Sequence, residues 1–174
     1  MESWKRFPLD HCNGIPISKN HPGRFGAIRK HDIHTGVDLY CEENDVVYAV
    51  ESGIVINVED FTGPKAGSDW WLDTEAVLVK GPSGMICYGE LKSLVKKGDT
   101  IKSGDQLGLI RPVLKTHKKR DDIPGHSRCM LHIELYEDKA IESVEWPLSS
   151  SMPSTLKDIT PFLLKHRPSK LPLL

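Results

Sequence analysis

The chain of 174 residues is 39% hydrophobic and 27% charged, enough apolar mass for one compact domain with its own core and too little for a second full one. Its formal net charge of -1 leaves no electrostatic footprint for nucleic acid, and the basic run Lys118-Lys119-Arg120 is met at once by Asp121-Asp122, which reads as a solvated loop. No stretch approaches the length of a membrane span, and the opening MESWKRFPLDHCNG lacks the apolar segment of a secretory signal.

The segment up to Gly23 is rich in Pro, Asn and Gly, an irregular lead-in expected to wrap the core. From Phe25 onward short strand patterns alternate with turns: VVYAV, GIVINVE, EAVLVKG, MICYGEL, QLGLIRPVL and MLHIELY, with no helix among them. That spacing predicts a mainly β protein, a small antiparallel sandwich or barrel in a single domain. Residues 61–74, FTGPKAGSDWWLDT, are too long for a tight hairpin, and loops of that length commonly carry specificity. Trp70 and Trp71 there either line a substrate groove or pack on the core. A second insertion, His117 to Arg128, holds His117 and His126, which either bend toward a site or stay solvated. His11, His21 and His166 have no partner spacing and read as surface residues. Beyond Tyr136, Ser154 is placed to cap a short amphipathic helix in TLKDITPFLLKH, and PSKLPLL reads as an extended tail.

Chemistry concentrates in two motifs almost a hundred residues apart, HTGVD and MLHIE. Two histidines and one carboxylate are the ligand set of a zinc site that keeps a fourth position open for water or substrate. In HTGVDLY the glycine and β-branched residues argue for extended backbone, which puts His34 and Asp38 on one face. In CMLHIELY, Leu131, Ile133 and Leu135 form the core face, and Met130, His132 and Glu134 the other. The four cysteines, Cys12, Cys41, Cys87 and Cys129, have no CxxC spacing and are expected as free, mostly buried thiols. Cys87 and Cys129 are candidates to be neighbours, on the face opposite Glu90 and His132.

The stretch RFGAIRKHDIHTGVDLYCEENDVVYAVESGIVINVED, followed by YGELKSLVKKGDTIKSGDQLGLI and MLHIELY, resembles the M23 family of zinc metallopeptidases, of the lysostaphin type. The resemblance covers roughly residues 23–136, with 1–22 as lead-in and 137–174 as a C-terminal extension. It implies the M23 peptidase fold, Zn2+ as cofactor, and His34, Asp38 and His132 as its ligands. The substrate it implies is a peptide of peptidoglycan. A chain of this kind without a visible export signal would suit cytoplasmic synthesis, as a cytosolic protein or a phage or virus product released by lysis.

Two positions depart from the family pattern. Tyr88-Gly89-Glu90-Leu91 stands where the family reads YxHL, and Met130-Leu131-His132 where it reads HLH, so both non-ligand histidines are replaced. A carboxylate can act as general base, as Glu does in the HExxH zinc peptidases, which makes Glu90 the candidate catalytic residue. Met130 neither donates a proton nor stabilises an oxyanion, and Tyr88, Arg29 and His31 are the nearby candidates for that support. Tyr88 is also a candidate substrate contact with Trp70 and Trp71. The expected function is zinc-dependent peptide-bond hydrolysis. The alternative is a catalytically silent, zinc-stabilised binding module. The turns of VKKGDTIKSGDQLG also match biotinyl and lipoyl carriers, but no lysine sits on the required hairpin, so they report shared turn chemistry.

Overall fold

The computed structural model describes residues 3–118 and 120–174, so Lys119 of the basic run lies outside it. Among the described residues nine strands form one open, antiparallel sheet: β1 (Val37–Cys41), β2 (Val46–Tyr48), β3 (Gly53–Thr62), β4 (Thr74–Gly81), β5 (Gly84–Ser93), β6 (Thr100–Ile101), β7 (Gln106–Ile110), β8 (Cys129–Tyr136) and β9 (Leu156–Lys157). The main path runs β1-β8-β5-β4-β3-β6. Strand β5 is where it branches, pairing β8 through Met85–Gly89 and β7 through Leu91–Ser93.

Alternation in β8 decides what lies on each side. Leu131, Ile133 and Leu135 enter the larger core with Val37, Leu39, Ile86 and Tyr88, each fully buried. Burial of this kind is worth about 1.5–3 kcal/mol per side chain, and Ile133→Ala would cost about 2–5 kcal/mol. The opposite face holds a smaller apolar cluster of Ala76, Leu78, Met85, Cys87 and Tyr136, and beside it His132 and Glu134.

Several local expectations are corrected. Ser154 caps no helix: Leu156 and Lys157 pair with Tyr136 and Leu135, which takes them out of helical reach. The helix α1 (Thr160–Lys165) starts later, without a side-chain cap, and Asp158 instead accepts the Thr160 amide at 2.9 Å. Six residues cannot hold a helix alone; Leu163 in the core and Phe162 against Trp4, 5.4 Å between rings, hold this one. The tail docks on the lead-in, Ile15 N–H to Pro172 O at 3.0 Å and Leu174 N–H to Ile15 O at 2.9 Å.

Cys87 and Cys129 are not neighbours. Cys129 faces Cys41 across β1 and β8, while Cys87 faces Glu134 and shares the face of His132, contrary to expectation. All four thiols are free. His21 is likewise no surface residue: it is 4% exposed, donates from Nε2 to Pro124 O at 2.8 Å and accepts the Gly23 amide at 3.0 Å.

Candidate metal centre

Asp38 on β1 and His132 on β8 are direct cross-strand partners, so one side of the site is set by sheet register alone. His34 arrives from the loop ahead of β1, and its Nδ1–H donates to the Arg24 carbonyl at 2.9 Å, which turns Nε2 inward. Gly36 makes the approach possible, because a Cβ there would collide with the Ile133 carbonyl oxygen and lie 3.1 Å from His132.

Three donor atoms result. His34 Nε2 lies 3.1 Å from Asp38 Oδ1 and 3.1 Å from His132 Nδ1, and the last two are 2.9 Å apart. Tetrahedral zinc with N and O ligands at about 2.0–2.2 Å sets those ligands about 3.3 Å apart. The triangle therefore fits such an ion with a few tenths of an ångström of expansion. Each group also has the outer partner a ligand needs. Asp38 Oδ2 takes Arg29 Nη2 at 2.6 Å, and His132 Nε2 meets Glu134 Oε1 at 2.8 Å. Glu134 is held in turn by the hydroxyls of Thr35 and Tyr136. Two residues along a strand is a long span, but bent side chains cover it, so Glu134 itself is the partner of His132.

The electrostatics follow from burial opposed by pairing. Burial pushes the His34 imidazole down, against the pull of Asp38, so it is neutral and ready to ligate. Burial would also lower His132, but hydrogen bonds to Asp38 and Glu134 lift it to about 10. Glu134 is held at about 2, its burial outweighed by the His132 contact, and Asp38 is kept well below the usual carboxylate range by His34, Arg29 and His132 despite burial.

Glu90 reaches the site through a break in the sheet. Gly89 pairs with Ala76 and Leu91 with Glu75, leaving Glu90 as an extra residue at φ 71°. Regular alternation would have sent it into the core with Tyr88; the bulge turns it to the face of His132. Gly89 leaves room for Phe61, whose ring lies 5.5 Å from that of His132. Glu90 is 8% exposed, and its Oε2 has no hydrogen-bond partner. Burial, then the charge of Asp38, raises its carboxyl to about 8.

Two cavities meet here. One, about 320 Å³, is bounded by His34, His132, Phe61, Trp71 and Trp146; the other, about 480 Å³, by Asp38, Tyr40, Met130, Trp71 and His126. Arg29, Trp71 and Glu90 border both. Trp70 is 54% exposed and meets Trp71 edge-on, so only the second tryptophan walls the cavities. Tyr88 is corrected: it lies 1% exposed in the larger core, its hydroxyl accepting the Val50 amide at 3.1 Å, because the strand period assigns it the core face. His31 and His117 are exposed and border neither cavity. His126 does, its ring 5.1 Å from Tyr40 and its Nδ1 accepting the Arg120 amide. Lys118 and Arg120, read as solvated, border the same cavity. Phe61 and Trp146 carried no sequence signal beyond their type.

An antiparallel β sheet that gathers two histidines and an aspartate at one point offers the donor set of a metal site. The chain belongs to peptidase family M23, whose sequence profile matches residues 32–143, more than half of it. Among solved structures it is similar to a zinc-containing peptidase from Vibrio cholerae, with TM-score 0.53 and 21% identity over 87% of this chain and 41% of that one. It is also similar to lysostaphin, with TM-score 0.50 and 20% identity over 90% of this chain and 58% of that one. It thus spans about half the length of these relatives, and the likeness is one of fold. No protein of curated function matches it. Among the described residues no helix is long and apolar enough to cross a membrane.

Proposed function

We propose that this protein is a zinc-dependent peptide-bond hydrolase acting on peptidoglycan-type peptides, with His34, Asp38 and His132 as ligands and Glu90 as general base. Family membership supports the reaction class and substrate type. The observation that carries the reading is the buried Glu90 carboxylate, without a partner and raised to about 8, bordering both cavities at the triad. A base is most effective when its pKa lies near the working pH.

A zinc ion held by His34, Asp38 and His132 would supply Lewis acidity toward the scissile carbonyl and toward water. Glu90 Oε2 takes the proton of the attacking water and returns it to the leaving amine. Arg29 holds Asp38 in register through its 2.6 Å contact while its backbone-anchored guanidinium faces both cavities. Met130 stands where a proton donor is usual in the family and can offer none. His126 supplies a donor from the loop: with Nδ1 accepting the Arg120 amide, its Nε2 carries the proton in the neutral ring. A base works deprotonated, so turnover rises with pH through the Glu90 pKa, a limb that a bound dication would move below 8.

Met130 also favours a second reading, a silent zinc-stabilised binding module. Glu90→Gln separates the two, since it keeps size and removes proton acceptance. With zinc content unchanged, turnover of a peptidoglycan-type peptide should fall by about 10²–10⁴. A loss under tenfold removes Glu90 as base; binding without turnover in the unmutated protein establishes the module.

A further inference from the structure

The two cavities differ in charge as well as in shape. The smaller is bordered by the carboxylates of Asp32, Glu59 and Glu145 in addition to Glu90 and Glu134, against Arg29 and, in the metal-free protein, the His132 imidazolium. Glu134 is committed to His132, Thr35 and Tyr136, but no ion pair among the described residues involves Asp32, Glu59 or Glu145. Glu59 is raised, first by burial and then by the charges of Glu142 and Glu134, with only Asn57 Nδ2 at 3.2 Å to oppose this. The larger cavity is bordered by Arg29, Lys118 and Arg120, against Asp38 and Glu90. Lys118 spends one proton on the Trp70 carbonyl at 3.2 Å, and Arg120 spends Nε and Nη2 on Asp122, so both keep N–H groups to offer. The acidic cluster does not stand alone: Glu90, more than nine-tenths buried, brings an unpartnered carboxylate oxygen to the boundary between the two.

We propose that the two cavities sort peptides by charge across the triad: an ammonium group enters the cavity of Asp32, Glu59 and Glu145, and a carboxylate the cavity of Lys118 and Arg120. The substrate class is a short peptide with a cation on one side of the scissile bond and an anion on the other. This rests on the hydrolase reading for the place of the bond, but the charge preference is a property of binding. Trp71 borders both cavities, giving the backbone between the two charges an aromatic wall. Each charge meets its counterpart in a partly solvated cavity, which makes each worth about fivefold in affinity.

The test is calorimetric titration of the zinc-loaded protein with a Gly/Ala tetrapeptide in four versions, its amino end free or acetylated and its carboxyl end free or amidated, with mass spectrometry for cleavage. The zwitterion should bind about 25-fold tighter than the doubly blocked peptide, with the singly blocked ones between. Asp32→Asn with Glu145→Gln, both at exposed positions, should erase the amino-end preference and spare the other; Lys118→Met with Arg120→Gln should do the reverse. An acetylated version with lysine at its first position, if it recovers the affinity, assigns the ammonium to a side chain; if not, to the terminus. Four versions binding within twofold, or a carboxylate preference that survives Lys118→Met with Arg120→Gln because it belongs to the metal, would overturn the proposal. The charge pattern without cleavage leaves it standing and sinks the hydrolase reading; cleavage without the pattern does the opposite.

Discussion

Strands β1 and β8 pair residue for residue from Val37 with Ile133 to Cys41 with Cys129, whereas β5 loses register at Glu90 and the loop before β8 reaches the site without regular structure. The first region carries two of the three donors, Asp38 and His132, and the second the groups proposed to handle protons. The difference teaches where this site tolerates change. Two proposed ligands locked by a ladder and a third tied to a backbone carbonyl are positioned by the fold, so replacing any of them is expected to remove the site. A bulge sets the direction of a single side chain, so Glu90 can stand where the resemblance implies a histidine while the sheet stays intact; Met130 stands inside the ladder, opposite Tyr40, where a change of side chain leaves the register untouched.

The sharpest way to break this comparison is to attack the ordered half. His34→Ala, Asp38→Ala and His132→Ala should each take zinc from about one ion per chain to near none and abolish turnover, as read by elemental analysis of purified protein. Full zinc content in His132→Ala would mean the ladder does not hold the metal. Next comes the support of that half: Glu134→Gln should weaken zinc binding by about 10–100-fold. The same pair sets the pH response. His132 lies at about 10 without metal, so its Nδ1 must give up a proton on zinc uptake, and titrations in buffers of different ionisation heat should count about one proton released near pH 7. In the metal-free protein Glu134, depressed to about 2, contributes stability above about 4.5 that is lost as pH falls toward 2. His132, raised to about 10, contributes stability below about 6.5 that is lost as pH rises through 10. Glu90, raised to about 8, adds a loss of stability that begins above about 4.5 and ends near 8. Thermal midpoints should therefore peak near pH 4.5, and Glu134→Gln should lessen the fall on both sides.

The smallest effect belongs to the irregular half. His126→Asn keeps a polar side chain in the loop but alters donor position, and should lower kcat about tenfold with zinc content unchanged. Unaltered kcat would return His126 to a packing role against Tyr40.

Legibility in the sequence divides along the same line. The alternation of CMLHIELY assigns Ile133 to the core and His132 to the site because a ladder obeys a period of two; in HTGVD only Asp38 lies on β1, and His34 stands on the loop before it, not on the extended strand expected, turned inward by the Arg24 carbonyl. The same period fails at Tyr88-Gly89-Glu90. It puts Tyr88 and Glu90 on one face, and only the bulge at Glu90, a tertiary feature, separates them. Cys87 falls on the face of His132 for the same reason. Ser154 misleads because pairing of β9 with β8 overrides a local capping signal. Trp146 and Lys118 are brought to the cavities by long loops, and no short-range pattern encodes a loop's landing place; Phe61 comes from the end of β3, into the space Gly89 leaves across the sheet.

The central claim is that the ordered half and the bulged half meet at one metal, with Glu90 beside its open position. Anomalous scattering at the zinc edge from crystals of the zinc-loaded protein tests it directly. The account predicts one peak about 2.0–2.2 Å from His34 Nε2, Asp38 Oδ1 and His132 Nδ1, with a Glu90 oxygen within hydrogen-bond reach of the open position. A peak elsewhere, or a Glu90 carboxylate turned away from that position, would contradict it.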